Sequence, residues 1–328
     1  MAIGGRRVPR ISTDLRFADR LGTWKARWGI GRMDYMVPPG LYAIGSPDPE
    51  SPVLVTANYK MSYDILRSVL GGRNCWILVL ETFGINVWCA AGKGTFGTAE
   101  LIRRIGDSGL SGIVRHRQLI LPILGAPGVA AHEVTRRTGF GIKYGTIRAG
   151  DLPEYLDHGM QTTPAMREIT FTAVERVALV PVEMVEAIRP TAITGFVLFC
   201  VLWALQGYTV GLLSIGAYTG AVFMGTAVTP FLLPWIPGRS FAFKGVLAGL
   251  IWSMIFYLLA GGNGWSLSAA LAVFLALPAV SSFYALNFTG CTPFTSRSGV
   301  KKEMRIALPA MGCALLASFF IVLIGKIV

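Results

Sequence analysis

Apolar positions fall into two regimes along the chain. Between residues 41 and 156 they form short blocks separated by Gly, Pro, Asn and charged residues, and from residue 192 onward they form blocks of bilayer length. In the first regime, residues 41–44, 53–57, 75–80, 119–121 and 143–147 read as strands, and 62–70, 96–105, 129–137 and 153–156 read as helices. Strand and helix alternate, which predicts a parallel or mostly parallel sheet with helices on both faces. The run 75–80 is apolar at every position, as a strand buried on both sides requires. On such a sheet, ligands bind beyond the carboxyl ends of the strands, which here lead into the loops 58–60, 81–94 and 122–128. A last strand at 177–180 and a helix at 182–188 leading to Pro190 complete the pattern.

The second regime needs a different solvent. Five apolar stretches, a short one at 192–207 and then 210–233, 243–261, 266–287 and 305–325, compare with the roughly 20 helical residues that cross a bilayer core. Away from their ends they hold no Asp, Glu, Lys, Arg or His, so this part reads as an anchor and scaffold rather than an ion-coupled transporter. The joining segments alternate: 237–244 and 297–305 are basic, whereas 207–209 and 261–266 carry no charge. Basic loops stay inside. This predicts a multi-pass protein of the cytoplasmic (inner) membrane, with its N-terminal domain in the cytoplasm and its C-terminus outside. Gly216-x-x-x-Gly220 and Gly245-x-x-x-Gly249 predict close helix packing, within the chain or between chains. The expected divisions are a basic arm at 1–38, an α/β domain at 39–190 and a five-helix domain at 191–328.

Composition agrees with this partition. Of 328 residues, 53% are hydrophobic and 15% charged; the net charge of +12 divides as +6 before residue 191 and +6 from there on. A lipid headgroup layer accounts for the basic excess, and no nucleic-acid motif is present. The arm, with Arg16, Trp24, Arg27, Trp28 and Arg32 at little periodicity, is expected to lie on the membrane, to wrap the domain or simply to decorate its surface. Arg6, Arg7 and Arg10 have no apolar stretch behind them, so no secretory signal is read there and the domain is expected to stay in the cytoplasm. Five cysteines, at 75, 89, 200, 291 and 313, form no C-x-x-C pair, which argues against a disulfide framework, a zinc site or an iron–sulfur cluster.

Candidate chemistry concentrates at Asn86-Val87-Trp88-Cys89-Ala90-Ala91-Gly92-Lys93, between the 75–80 strand and the 96–105 helix. Proximity to a helix N-terminus and to a lysine favours thiolate over thiol. The small run Ala90-Ala91-Gly92, flanked by Gly84 and Gly94, would let a flat ligand approach the backbone. A nucleophile, a redox centre and a metal ligand all fit such a sulfur. Cys75, Cys200, Cys291 and Cys313 read as structural. Gly92-x-Gly94-x-x-Gly97 matches the dinucleotide fingerprint literally, but about ten residues separate it from the strand and no acidic residue ends the next one, where Leu121-Pro122 stands. Gly92-Lys93 is not a phosphate loop, because Gly94 follows the lysine. His116, His132 and His158 show no metal spacing, and the Asp-x-His-x-x-Gly signature of many cobalamin proteins is absent, since His158 follows Asp157 directly.

The octapeptide at 86–93 resembles, at every position, the cap-helix motif of the corrinoid protein of microbial mercury methylation, a family related to the large subunit of the corrinoid iron–sulfur protein. Val55-Thr56-Ala57-Asn58-Tyr59-Lys60 and Leu124-Gly125-Ala126-Pro127-Gly128-Val129-Ala130-Ala131-His132 resemble the same family, as does an α/β domain followed by five spans. The resemblance implies a Rossmann-like α/β corrinoid-binding domain followed by an all-α transmembrane domain of five helices, with a cobalamin-type corrinoid and its cobalt as cofactor. It implies a corrinoid-dependent methyltransferase that passes a methyl group from methyl-Co(III) corrinoid to Hg(II), giving methylmercury. By position it makes Cys89 the lower axial ligand of cobalt, a thiolate whose electron donation would ease departure of the methyl group as a carbanion equivalent. It assigns Asn86, Val87, Trp88, Ala90, Ala91 and Gly92 to shaping the lower face, and Thr56, Asn58, Gly125, Ala126 and Gly128 to the loops around the corrinoid. Lys93 is left between biasing the sulfur and capping local structure. A ferredoxin-like partner with two iron–sulfur clusters as electron donor and a methyltetrahydrofolate-linked methyl supply are implied as well. A corrinoid carrier serving another acceptor and a membrane-tethered nucleotide-binding sensor are the alternatives.

Overall fold

The structure is a computed structural model that describes residues 2–3 and 6–327. The chain divides into two compact units, Met1–Ile169 and Thr170–Val328. In the first, β1 (Ala2–Ile3) and β2 (Arg6–Arg7) form a small antiparallel ribbon. The strands β3 (Arg10–Ile11), β4 (Gly40–Ile44), β5 (Val53–Ala57), β6 (Cys75–Leu80), β7 (Gln118–Leu121) and β8 (Gly141–Tyr144) form one sheet in the order β3-β4-β6-β5-β7-β8. β5 to β8 run parallel, while β4 lies antiparallel to β6 and carries β3 alongside it. The sheet is therefore mostly parallel, as the alternation predicts.

Its helices are α1 (Phe17–Arg27), α2 (Lys60–Ser68), α3 (Val87–Lys93), α4 (Thr98–Ser108), α5 (Ala131–Thr138) and α6 (Leu152–Asp157). They cover both faces. Every residue of β6 is fully buried, and its side chains alternate as the pleat dictates. Trp76, Leu78 and Leu80 enter a core with Phe96, Leu101, Ile105 and Val134. Cys75, Ile77 and Val79 enter the opposite core with Tyr63, Leu66, Leu152 and Tyr155. The chain passes from β5 to β6 on one side, then returns to place β7 on the other side of β5. The carboxyl ends of β5 and β7 therefore flank a topological switch point, where open α/β sheets bind ligands.

Of the outcomes expected for the arm, its described residues show wrapping. β3 pairs with β4, and α1 is tied to α2 through Asp19, which receives Lys60 Nζ at 2.6 Å and Arg67 Nη2 at 2.8 Å. Arg67 also reaches Asp64 at 2.7 Å and donates to the carbonyls of Ser12 and Asp14. Burial pushes the Asp19 carboxyl up, but hydrogen bonds from Lys60, the Arg16 backbone N–H and Arg67 outweigh it and hold the group at about 2, below its ordinary 3.8. A carboxyl depressed in the folded state stabilises fully above its unfolded value, and that contribution is lost as pH falls through the folded one. Pepsin cleavage within α1 is therefore expected to rise as pH falls from about 4 to about 2, and Asp19→Asn should be cut throughout that window. An α1 equally resistant at both ends would contradict the tie.

The second unit is helical: α7 (Ala173–Val177), α8 (Val180–Gln206), α9 (Tyr208–Phe223), α10 (Thr229–Leu232), α11 (Phe241–Leu259), α12 (Leu267–Asn287) and α13 (Arg297–Ile327). A π-helical turn at Met224–Val228 joins α9 to α10. Five helices are long and apolar enough to cross a membrane, Ala173–Gln206, Tyr208–Leu232, Phe241–Leu259, Leu267–Asn287 and Ser298–Gly325. The strand expected at 177–180 is instead the end of α7, a turn at residues 178 and 179, and the start of α8. Thr172 and Glu175 form a capping box that starts α7, and a short apolar run cannot by itself separate strand from buried helix. Pro190 lies inside α8 rather than ending a helix before it.

The Gly245/Gly249 pair packs within the chain. A Cβ at Gly245 would stand 2.6 Å from Ser282 Cα, and one at Gly249 2.5 Å from Pro278 Cα, so α11 and α12 meet backbone to backbone. Gly220 abuts Trp252, whose indole N–H donates to the Ala217 carbonyl at 2.8 Å, while Gly216 has open space.

Candidate functional site

A cavity of about 320 Å³ opens at the switch point. Val55 and Thr56 of β5, Leu121 at the end of β7 with Pro122 and Leu124 beyond it, Thr146 and Ile147 after β8, and Asn86, Val87 and Trp88 line it. It is largely apolar, with Thr56, Ser62, Asn86 and Thr146 as polar points, and lies at the small end of the ~300–1,000 Å³ range of ligand sites.

The loop expected at 81–94 contains a helix of its own. Residues 87–93 form α3; Asn86 is its N-cap, accepting the Cys89 N–H on its side-chain oxygen at 2.9 Å, and Gly94 closes it at φ +82°. Cys89 thus sits in the first turn of the helix the octapeptide makes, not in a loop ahead of the next one. The chain reaches Asn86 through Phe83 and Gly84, both left-handed (φ +55° and +69°), and a left-handed phenylalanine stays there only where its surroundings hold it. Asn58, at the end of β5, supplies that hold. Its carbonyl oxygen accepts the Thr82 N–H at 3.1 Å, the Thr82 hydroxyl at 2.8 Å and the Gly84 N–H at 3.1 Å, and its amide donates to Glu81 at 2.6 Å. Buried and fully engaged, Asn58 acts as a fastener of the loop. Asn58→Ala strands these donors, and a loss of about 2–4 kcal/mol is expected, read as a fall in denaturant midpoint. An unchanged midpoint would show that the loop holds itself.

α3 has two unlike faces. Ala90 and Ala91 point into the core, so the small run opens only Gly92 to an approaching ligand. Behind α3 runs the 3-10 segment Ile123–Gly128. A Cβ at Gly128 would lie 2.1 Å from the Phe96 carbonyl oxygen and 3.0 Å from Ala91 Cα, and one at Gly125 2.5 Å from the Phe96 ring. These glycines let the segment and α3 close on each other; half-buried Ala126 lies between them. Thr98 pins the same region by accepting the Ala130 N–H at 2.8 Å. Trp88, Cys89, Gly92 and Lys93 are exposed on the front. Gly97 serves the tight turn into α4, its position for a Cβ lying 2.5 Å from the Gly94 carbonyl oxygen.

The other thiols differ. Burial pushes Cys75 up to about 12, only partly opposed by the Arg73 charge, so it stays a protonated core residue. Cys200 and Cys313 belong to the helical unit, and the Cys291 side chain lies outside the described residues. His116 and His158 bond the carbonyls of Ser51 and Glu154. Among the described residues no three His, Cys, Asp or Glu converge to hold a metal ion. Pro122, Thr146 and Ile147, part of the cavity wall, have no signal in the sequence beyond their place at strand ends.

The fold and the switch-point cleft define a class: an α/β unit with a cleft at the carboxyl edge of its sheet, followed by a helical unit whose helices are of membrane-crossing length. Comparison with known proteins narrows it. Residues 31–156 match the protein family described as the CO dehydrogenase/acetyl-CoA synthase delta subunit. The chain is 36% identical over 124 residues to the acetyl-CoA decarbonylase/synthase complex subunit gamma of Methanopyrus kandleri, covering 37% of this chain and 26% of that protein. The same subunit of Archaeoglobus fulgidus is 33% identical over 128 residues, covering 38% and 27%. The subunit of Methanocaldococcus jannaschii is 31% identical over 127 residues, covering 38% and 26%. The chain thus spans about a quarter of the length of these relatives, and the family match ends before the helical unit begins.

Proposed function

We propose that the chain is a membrane-anchored corrinoid protein that passes a methyl group to Hg(II), with Cys89 as the lower axial donor to cobalt. The observation that carries this is the exposed Cys89 in the first turn of α3, directly after the cavity-lining Trp88. The residues fit the cofactor. A soft sulfur ligand suits cobalt, and Gly92, exposed on the same short helix, offers no side chain to obstruct a flat ligand. When bound, the corrinoid supplies a cobalt centre that carries a methyl group and hands it on with its bonding electron pair.

The chain's residues do the rest. Cys89 would hold the cobalt through its sulfur and donate electron density to it. Asn86 fixes the helix turn that presents the sulfur, Asn58 fixes the loop before it, and Gly125, Ala126 and Gly128 hold α3 from behind. Val87, Trp88 and Thr56 form the cleft wall that receives the cofactor. Lys93 places a cation at the carboxyl end of α3, where the helix dipole favours it. A ferredoxin-like partner with two iron–sulfur clusters supplies electrons, a methyltetrahydrofolate-linked donor supplies the methyl group, and the α/β unit faces the cytoplasm from the inner membrane. The octapeptide supports the mercury reading. The similarity to acetyl-CoA decarbonylase/synthase subunits favours a second reading, a methyl carrier serving a different acceptor within a protein assembly.

Cobalt analysis of the chain purified without oxygen tests both readings at once. Cobalt in stoichiometric amount is expected, whereas a cobalt-free chain that binds NAD or ATP would overturn both in favour of a nucleotide sensor.

A further inference from the structure

We propose that α1 is an interfacial helix that lies in the headgroup layer of an anionic bilayer. This rests on the membrane anchoring just proposed. Phe17, Leu21, Trp24 and Trp28 recur at helical spacing on one face and are 79%, 41%, 69% and 44% exposed. Ile30 and Met33 extend the patch at 63% and 66% exposed. The opposite face is the docked one. Ala26 is fully buried, a Cβ at Gly22 would lie 2.6 Å from the Tyr35 ring, and Asp19 is held by Lys60 and Arg67. The helix is thus amphipathic in the reverse sense for a packed element, with small and paired residues inward and large apolar ones outward.

Charge decides what covers such a stripe. Arg16, Arg20 and Arg27 fall along one flank of it and Lys25 along the other. The carboxylate within α1, Asp19, is turned inward and neutralised. Two tryptophans with basic residues on both flanks match an interface with apolar depth and anionic headgroups. A protein groove would need no such doubled cationic border. The same chain supplies five helices of membrane-crossing length, so the bilayer is within tethered reach. The position also bears on the cleft. A Cβ at Gly84, in the loop leading to α3, would lie within 3.1 Å of Met33 and Met36, residues that follow α1. Docking α1 on lipid therefore fixes the attitude of the cleft to the membrane surface.

The test uses the full chain in lipid nanodiscs, with a benzophenone amino acid installed in turn at positions 24, 258 and 136. Leu258 is an exposed apolar residue of α11, and Arg136 an exposed residue of α5. On irradiation, phospholipid adducts are expected at 24 and 258 and none at 136. The yield at 24 should be roughly fivefold or more higher in phosphatidylglycerol-containing discs than in phosphatidylcholine alone, and Arg20→Glu with Lys25→Glu should remove that difference. An adduct at 258 without one at 24 overturns the α1 proposal and leaves the anchor standing. Adducts at neither position overturn the anchor. A protein-to-protein adduct at 24 assigns the stripe to a second copy and also overturns the proposal.

Discussion

Under the proposed function, replacing Cys89 by alanine is expected to lower methyl transfer to Hg(II) at least about a hundredfold (some 2.7 kcal/mol of barrier), while leaving the fold and its thermal stability intact. The two halves of this expectation have separate causes. The side chain is exposed and belongs to neither core, so its loss falls in the small range of about ±0.5 kcal/mol typical of surface substitutions. The contact that matters to α3 is made by the Cys89 backbone N–H to Asn86, which alanine retains. The fold therefore does not depend on the sulfur. The Co(II) electron paramagnetic resonance spectrum should change with the substitution, since the axial donor is lost. An alanine variant with an unaltered spectrum and full transfer would remove sulfur from the coordination sphere.

Gly128→Ala is expected to give a comparable loss of transfer by the opposite route, with Cys89 still present. The new methyl group would sit 2.1 Å from the Phe96 carbonyl oxygen and 3.0 Å from Ala91 Cα, both backbone atoms that cannot swing aside. α3 or the segment behind it must move, at a cost at the upper end of the ~1–3 kcal/mol of an overpacked core. A shift of about 1 Å in the ligand-bearing turn suffices for a large loss of rate. Gly125→Ala meets the Phe96 ring instead, which can rotate, and should be milder. The pair separates from Cys89→Ala by calorimetry, because Gly128→Ala lowers the melting temperature and Cys89→Ala does not. A Gly128→Ala chain with wild-type melting and transfer would show that α3 does not depend on this close approach.

What could be read from the sequence follows from where the stabilising contacts lie. β5 and β6 fall on the predicted residues because both faces of each strand are buried and the apolar run has sharp ends. The strand expected at 143–147 lies at Gly141–Tyr144, where its pairing with β7 sets the bounds. α3 reads as loop in the sequence because seven residues carrying Trp, Cys and two glycine neighbours have no helical run of their own; the Asn86 cap and the packing on Ile123–Gly128 make the helix. α1 escaped because its buried face is Asp19, Gly22 and Ala26, so a pattern that seeks apolar residues inward finds none. Cys89 was legible as chemistry. The fastening by Asn58 and the clearance at Gly128 were not, since both depend on partners more than twenty residues away in the chain.

The central claim joins a corrinoid, a sulfur at residue 89 and mercury as acceptor, and isotopically labelled methyl transfer in the purified protein reads all three. The full-length chain, isolated without oxygen and loaded with a labelled methyl group on its cobalt, is mixed with Hg(II) as its thiolate complex, and the products are separated. Labelled methylmercury appearing as the protein loses its label, and doing so for the native chain but not for Cys89→Ala, is the predicted result. A cobalt-bearing, methyl-loaded chain that keeps its label in the presence of Hg(II) contradicts the account.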